Sequence, residues 1–150
     1  MPQAAFRSTL RELVHCYQAF EGYASAHICQ QGLTISQFDI LVTLGNGQGM
    51  TPKELVEKTL ITKGTLTGVI DRLQLKGLVN RTPSTLDGRS QIITLTKKGQ
   101  KLFEKVFPEH LTYMGQAFAH LQATEISHIG EVLSNLRYTF ENQKTKGETL

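Results

Sequence analysis

At 150 residues, the chain has the length of one domain and can bury a core of its own. Its 39% hydrophobic and 19% charged residues fit a soluble globular protein. No apolar run reaches the roughly 18 residues of a membrane helix, and Met1 to Leu10 lacks a secretory h-region, so a cytoplasmic protein is expected. The net charge of +3 is unevenly spread. Residues 51–98 hold nine lysines and arginines against four acids, and the rest of the chain holds seven against nine, as in a module that meets a polyanion through its middle.

From Phe6 to about Cys29, apolar residues recur at steps of three and four: Leu10, Leu13, Val14, Tyr17, Phe20, Ala24 and Ile28. This predicts one long amphipathic helix that ends at Gly32. It has more apolar face than a small chain covers by itself, which predicts a partner. Cys16 and Cys29 on such a helix lie about 20 Å apart, at about 1.5 Å per residue, too far for a disulfide. Thr34-Ile35-Ser36-Gln37 then reads as a capping box with Leu33 and Phe38 as its staple. Thr51-Pro52-Lys53-Glu54 is a second box, with Met50 and Leu55 as staple and proline at the first helical position. Ile61 to Leu66 repeats the staple and the threonine cap without the acid. Helices are therefore predicted from about residues 35, 52 and 63. The glycine-rich loop Gly45 to Gly49 separates the first two, and a short turn at Thr59 to Ile61 separates the last two, the pattern of a helix-turn-helix.

The third of these helices is predicted over Thr62 to Lys76, with Gly77 as its left-handed cap and Leu78 as the cap's apolar partner. Leu78 to Thr82 and Gln91 to Leu95 read as a β-hairpin around a polar tip, Pro83 to Ser90, that contains the Asp87-Gly88 turn dipeptide. Helical periodicity returns through Leu102, Phe103, Val106, Phe107, Leu111, Met114, Phe118 and Leu121, with a kink or irregularity expected at Pro108. A last helix is expected from about Thr124 through Phe140, and Gln143 to Leu150 reads as a frayed polar tail.

These motifs, in this order, resemble the MarR family of winged helix-turn-helix transcription regulators. The matching residues are Leu33-Thr34 with Gln37-Phe38, Thr51 to Leu55, Thr62 to Thr67, Asp71-Arg72-Leu73, Lys76 to Val79, Asp87-Gly88-Arg89 and Ile93 to Gly99. Two departures are Gly64, where the family usually carries a side chain, and Gln122, in place of a short capping residue. The resemblance implies a mainly α fold with a small β-hairpin wing. A DNA-binding lobe would span about 34–98, and dimerisation helices about 6–30 and 99–143, in a single domain. It also implies a homodimeric repressor that binds a pseudo-palindromic operator on double-stranded DNA and responds to a ligand.

A helix that enters the major groove reads bases from its N-terminal half. On the helix Thr62 to Lys76, that half presents Thr62, Lys63, Thr65, Thr67 and Gly68, with Arg72 one turn further on. Leu66, Val69, Ile70 and Leu73 form its buried stripe. Arg89 on the wing suits the narrow, negative minor groove, and the resemblance implies the same role. Lys53, Ser84 and Ser90 are expected at the phosphate backbone, as are Thr51, Thr82 and Lys97. Asp71 would repel DNA, so pairing with Arg72 or Arg89 to brace the wing is expected instead.

The sequence holds no phosphate-binding glycine loop after a strand, no nucleophile elbow, no zinc-protease helix and no CxxC, so no enzyme is expected. The five histidines are scattered. A winged helix used for protein contact is an alternative that the basic middle disfavours, and a redox- or metal-responsive regulator of the same fold is another. Neither Cys16, beside His15, nor Cys29 stands out as a sensor, and Asp39, His110 and Cys29 could hold zinc only if the fold brought them together. No cofactor is expected beyond a small aromatic effector. Tyr17, Phe20, Phe38, His110, Tyr113 and Met114 would line its crevice, or serve as ordinary core and interface residues.

Overall fold

The structure, a computed structural model, describes residues 3–45, 47–86 and 89–147. Six helices and one hairpin follow in order: α1 (Gln3–Gln30), α2 (Ile35–Leu44), α3 (Pro52–Lys58), α4 (Lys63–Leu75), β1 (Val79–Pro83), β2 (Gln91–Leu95), α5 (Lys97–Ala117) and α6 (Ala123–Gly147). This is the mainly α fold with a hairpin wing that the sequence predicts. α6 runs through residues expected to fray. α5 continues through Pro108 without a break. Contacts divide the chain into two compact units, Met1–Leu111 and Thr112–Leu150.

In the first unit, local chemistry sets the helix starts. Thr34 and Thr51 each accept the amide three residues on, while Gln37 and Glu54 reach back to the cap amides, so both capping boxes are complete. The third start differs from expectation. Thr62 occupies the N-cap, but its side chain caps no amide and its hydroxyl donates to Thr65 Oγ1 at 3.1 Å. At the other end of α4, Gly77 takes φ +72°, and the amides of Gly77 and Leu78 return to Gln74 and Leu73, closing the helix as predicted.

The core of this unit joins Ile28, Ile40, Leu41, Leu44, Leu55, Leu66, Ile70, Leu73, Val79, Ile93 and Val106, all fully or almost fully buried. β1 and β2 pair antiparallel from Val79 opposite Leu95 to Pro83 opposite Gln91. A further bridge, absent from the sequence reading, pairs Met50 with Ile93 through two backbone bonds of 3.0 and 2.8 Å. It ties the segment before α3 to the hairpin. Thr96 opens α5: its hydroxyl donates to Gly77 O at 2.6 Å and accepts the Gly99 amide at 3.0 Å. Gly99 is required there, because a Cβ would lie 2.1 Å from Leu78 O.

The second unit is the end of α5 and all of α6. The Gln122 amide donates to Glu125 Oε2 at 2.7 Å at the start of α6, the half of a capping box that the residue at the third position supplies. None of α6's described side chains is buried, although Ile126, Ile129, Val132, Leu133 and Phe140 give it an apolar periodicity.

Gly99→Ala should lower stability by about 1–3 kcal/mol, since backbone rather than a flexible side chain must give way. Thermal denaturation checks this, and an unchanged melting temperature would contradict the packing described.

Candidate nucleic-acid interface

α4 divides cleanly into two faces. Leu66, Val69, Ile70 and Leu73 are buried, as the periodicity predicts. Thr62, Lys63, Thr65, Thr67 and Arg72 are exposed, and Gly68 is half-buried between them. A Cβ on Gly68 would meet only Arg72 Nη1, at 3.9 Å, so the guanidinium lies one turn along the same face. Between α3 and α4 a groove of about 340 Å³ is lined by Pro52, Lys53, Val56, Lys63, Leu66 and Thr67. It brings two ammonium groups and a recognition-face threonine to one opening.

The wing presents its polar tip. Arg89 is exposed, and Ser84 and Ser90 are half-buried. The Ser84 amide donates to Ser90 O at 2.8 Å and its hydroxyl accepts the Leu86 amide at 3.3 Å, so Ser84 shapes the tip. The expected Asp87-Gly88 turn lies outside the described residues. Asp71 braces the wing, but through a different partner from those expected. Arg81 on β1 donates one guanidinium nitrogen to Asp71 and another to Gln74. Arg72 is the neighbour of Asp71 on a helix and so points away from it, whereas Arg81 on the adjoining strand sits across from both acceptors.

Polar ties also hold the ends of α4. The amide of Leu60, in the turn before α4, donates to Asp39 Oδ2 at 3.1 Å. At the far end Lys76 Nζ donates to Gly32 O at 2.6 Å and to Gln37 Oε1 at 3.0 Å.

A second cavity, of about 230 Å³, lies between α1, α2, α5 and the turn before α4. Tyr17, Phe20, Phe38 and His110 line it, as predicted, with Glu21, Asp39 and Lys58 as charged groups. Tyr113 and Met114 belong to the second unit, and this lining comes from the first alone. The Phe38 ring stands edge-on to His110, centroids 4.7 Å apart, and His110 Nδ1 is 3.1 Å from His27 Nδ1. Burial lowers the His110 imidazole below its ordinary 6.5, and His27 lowers it further. Burial raises the Asp39 carboxyl above its ordinary 3.8, against the effect of the Leu60 amide. Asp39 and His110 do share this site, but among the described residues no three metal-ligating side chains cluster. Cys16 and Cys29 are free and exposed.

Residues 31–90 match the sequence profile of the MarR family. The transcriptional regulator PecS of Dickeya dadantii is 30% identical over 115 residues, which span 75% of this chain and 69% of PecS.

The chain belongs to the MarR family.

MhqR of Bacillus subtilis, another transcriptional regulator, is 27% identical over 124 residues, 83% of this chain and 86% of its own. The solved structure of BpsR from Bordetella bronchiseptica superimposes with a TM-score of 0.77 at 26% identity. The match covers 87% of this chain and 98% of that one, and DNA binding by BpsR is regulated by 6-hydroxynicotinic acid. This MarR-family member is thus a DNA-binding transcription regulator of winged-helix fold rather than an enzyme. No helix among its described residues is long and apolar enough to cross a membrane.

Sequence reasoning missed the roles of Arg81, Gln74 and His27, the tie from Lys76 to Gln37 and Gly32, and the cavity role of Asp39. Only Asp39 left a signal, as an acid inside the otherwise apolar run from Phe38 to Val42.

Two measurements check this geometry. A double-mutant cycle on stability, Asp71→Ala with Arg81→Ala, should return a coupling of about 0.5–1 kcal/mol for a partly exposed pair, and strict additivity would contradict the brace. The lowered His110 value means that the unfolded chain binds a proton there before the folded one does. The stability His110 lends is then full above 6.5 and is lost as pH falls through the lowered value. The fall in melting temperature from about pH 7 to about pH 5 should shrink in His110→Gln, and an equal fall would contradict the assignment.

Proposed function

We propose that this MarR-family regulator is an effector-responsive repressor that binds a pseudo-palindromic operator as a homodimer in the cytoplasm. The carrying observation is the pairing on one braced body of an exposed polar face on α4 with a wing that ends in Arg89. Thr62, Lys63, Thr65, Thr67 and Gly68 enter the major groove, with Arg72 behind them. Arg89 enters the flanking minor groove. Lys53, Ser84 and Ser90 contact the backbone, which positions the protein without reading sequence.

Dimerisation is supported by apolar surface that the chain leaves uncovered. α1 exposes Phe6, Leu10, Val14, Tyr17 and Phe20, and the second unit exposes Phe118, Ile126, Ile129, Val132, Leu133 and Phe140. Helices of this length are not held by propensity alone, and none of α6's described side chains is buried within its own chain. A two-fold interface from these faces would bury more than about 2,000 Å². A small aromatic acid as effector is supported by the first-unit cavity. Its aromatic walls suit a ring, Lys58 suits a carboxylate, and Glu21 and Asp39 suit a hydroxyl or N–H donor on that ring. BpsR, regulated by such an acid, offers a parallel.

Duplexes selected from a random pool by the pure protein should share half-sites about 10 bp apart, and binding to them should weaken steeply with salt. Arg89→Ala should lose about 1–3 kcal/mol of DNA affinity with dimer mass unchanged by light scattering. A monomer at micromolar concentration, or unchanged affinity in the variant, would contradict the reading.

A further inference from the structure

The tip of the wing carries an apolar side chain that has no place in the core. From Pro83 to Ser90, Leu86 is the one large apolar residue. It is 98% exposed, more than any other large apolar residue described. The exposed apolar residues of α1 and α6 recur along long helices and suit a helical interface. Leu86 stands outside that pattern, at the end of a hairpin. A lone exposed leucine is ordinary on a surface, but here the backbone presents it. The Ser84 amide donates to Ser90 O at 2.8 Å and closes the tip, and the Leu86 amide donates to Ser84 Oγ at 3.3 Å. The same closed tip carries Arg89, which is exposed. The hairpin behind it is braced on α4 through Arg81, Asp71 and Gln74. An apolar side chain and a cation on one braced tip match two properties of the minor groove. Its negative potential attracts the cation, and its base steps admit an apolar wedge that partly unstacks them.

We propose that Leu86 is a minor-groove wedge, so that the protein bends its operator as well as reading it. Arg89 draws the tip into the groove. The Leu86 side chain then enters a neighbouring base step, unstacks it in part and kinks the duplex there. A leucine forms no hydrogen bond to a base edge, so it selects for steps that open at low cost. Pyrimidine–purine steps, TA or CA/TG, are the deformable ones, and they are expected at the outer flank of each half-site. This wedge rests on the reading above, in which the wing meets the minor groove.

The test uses the full chain and a duplex selected from a random pool, with 2-aminopurine replacing an adenine at the flanking step. Wild-type binding should brighten the 2-aminopurine, which reports unstacking. It should also bend the duplex by about 20–90°, read by energy transfer between its ends. Leu86→Ala should weaken DNA binding about three- to tenfold, leave the 2-aminopurine dim and lose most of the bend. Its melting temperature and its mass by light scattering should match the wild type. Leu86→Met keeps an apolar wedge and should stay near the wild type. Salt separates the wedge from the cation. Leu86→Ala should keep the slope of log affinity against log salt, whereas Arg89→Ala should lower it by about one. A wild-type bend and 2-aminopurine signal in Leu86→Ala overturns the wedge. So does a changed mass in that variant, which would place the leucine between protein chains. If Arg89→Ala weakens binding in those cases, the wedge fails alone. If Arg89→Ala also binds like the wild type, the wing does not touch DNA and the reading beneath the wedge fails with it.

Discussion

α2 holds α4 at both ends. Gln37 accepts from Lys76 at the C-terminal end, and Asp39 accepts from Leu60 just before the N-terminal end. Between these ties the apolar stripe of α4 is buried in the core. Apolar burial supplies most of the adhesion but is indifferent to small rotations about the helix axis. Directional hydrogen bonds set the angle. The same Gln37 oxygen also accepts the Thr34 amide of the capping box at 3.1 Å, so the start of α2 and the end of α4 are fixed together.

The wing depends on the same frame. Arg81 bonds Asp71 and Gln74, the Met50 bridge ties β2 to the segment before α3, and Gly99 lets α5 start against the Leu78 carbonyl. These contacts make α4 and the hairpin one body, so a wing arginine and a recognition helix can address neighbouring grooves in fixed register.

Much of this was legible in the sequence because the deciding signals were local. Two threonine boxes, Gly77 with Leu78, and the stripe from Leu66 to Leu73 act within one helical turn or two, and they fall where the sequence places them. The failures were of two kinds. Thr62 resembles the other caps in sequence, yet its hydroxyl goes to Thr65, where the other two boxes have a Gln or Glu that reaches back to the cap amide. The brace of Asp71 was foreseen, but its partner was sought on the same helix and at the wing tip. Arg81 becomes its neighbour only through strand pairing. His27 with His110, and Lys76 with Gly32, are separated by 83 and 44 residues, and no local pattern announces them. Of the six crevice residues, Tyr17, Phe20, Phe38 and His110 converge in the first unit, while Tyr113 and Met114 follow α5 beyond it.

The central claim is that α4 reads the major groove while the wing reaches the adjacent minor groove, twice over in a dimer. Methylation interference on a duplex selected by the pure protein tests it directly, because guanine N7 reports the major groove and adenine N3 the minor. The account predicts two clusters of interfering guanines about one helical turn apart, each flanked on its outer side by interfering adenines. A single major-groove cluster, or interference confined to the minor groove, would contradict it.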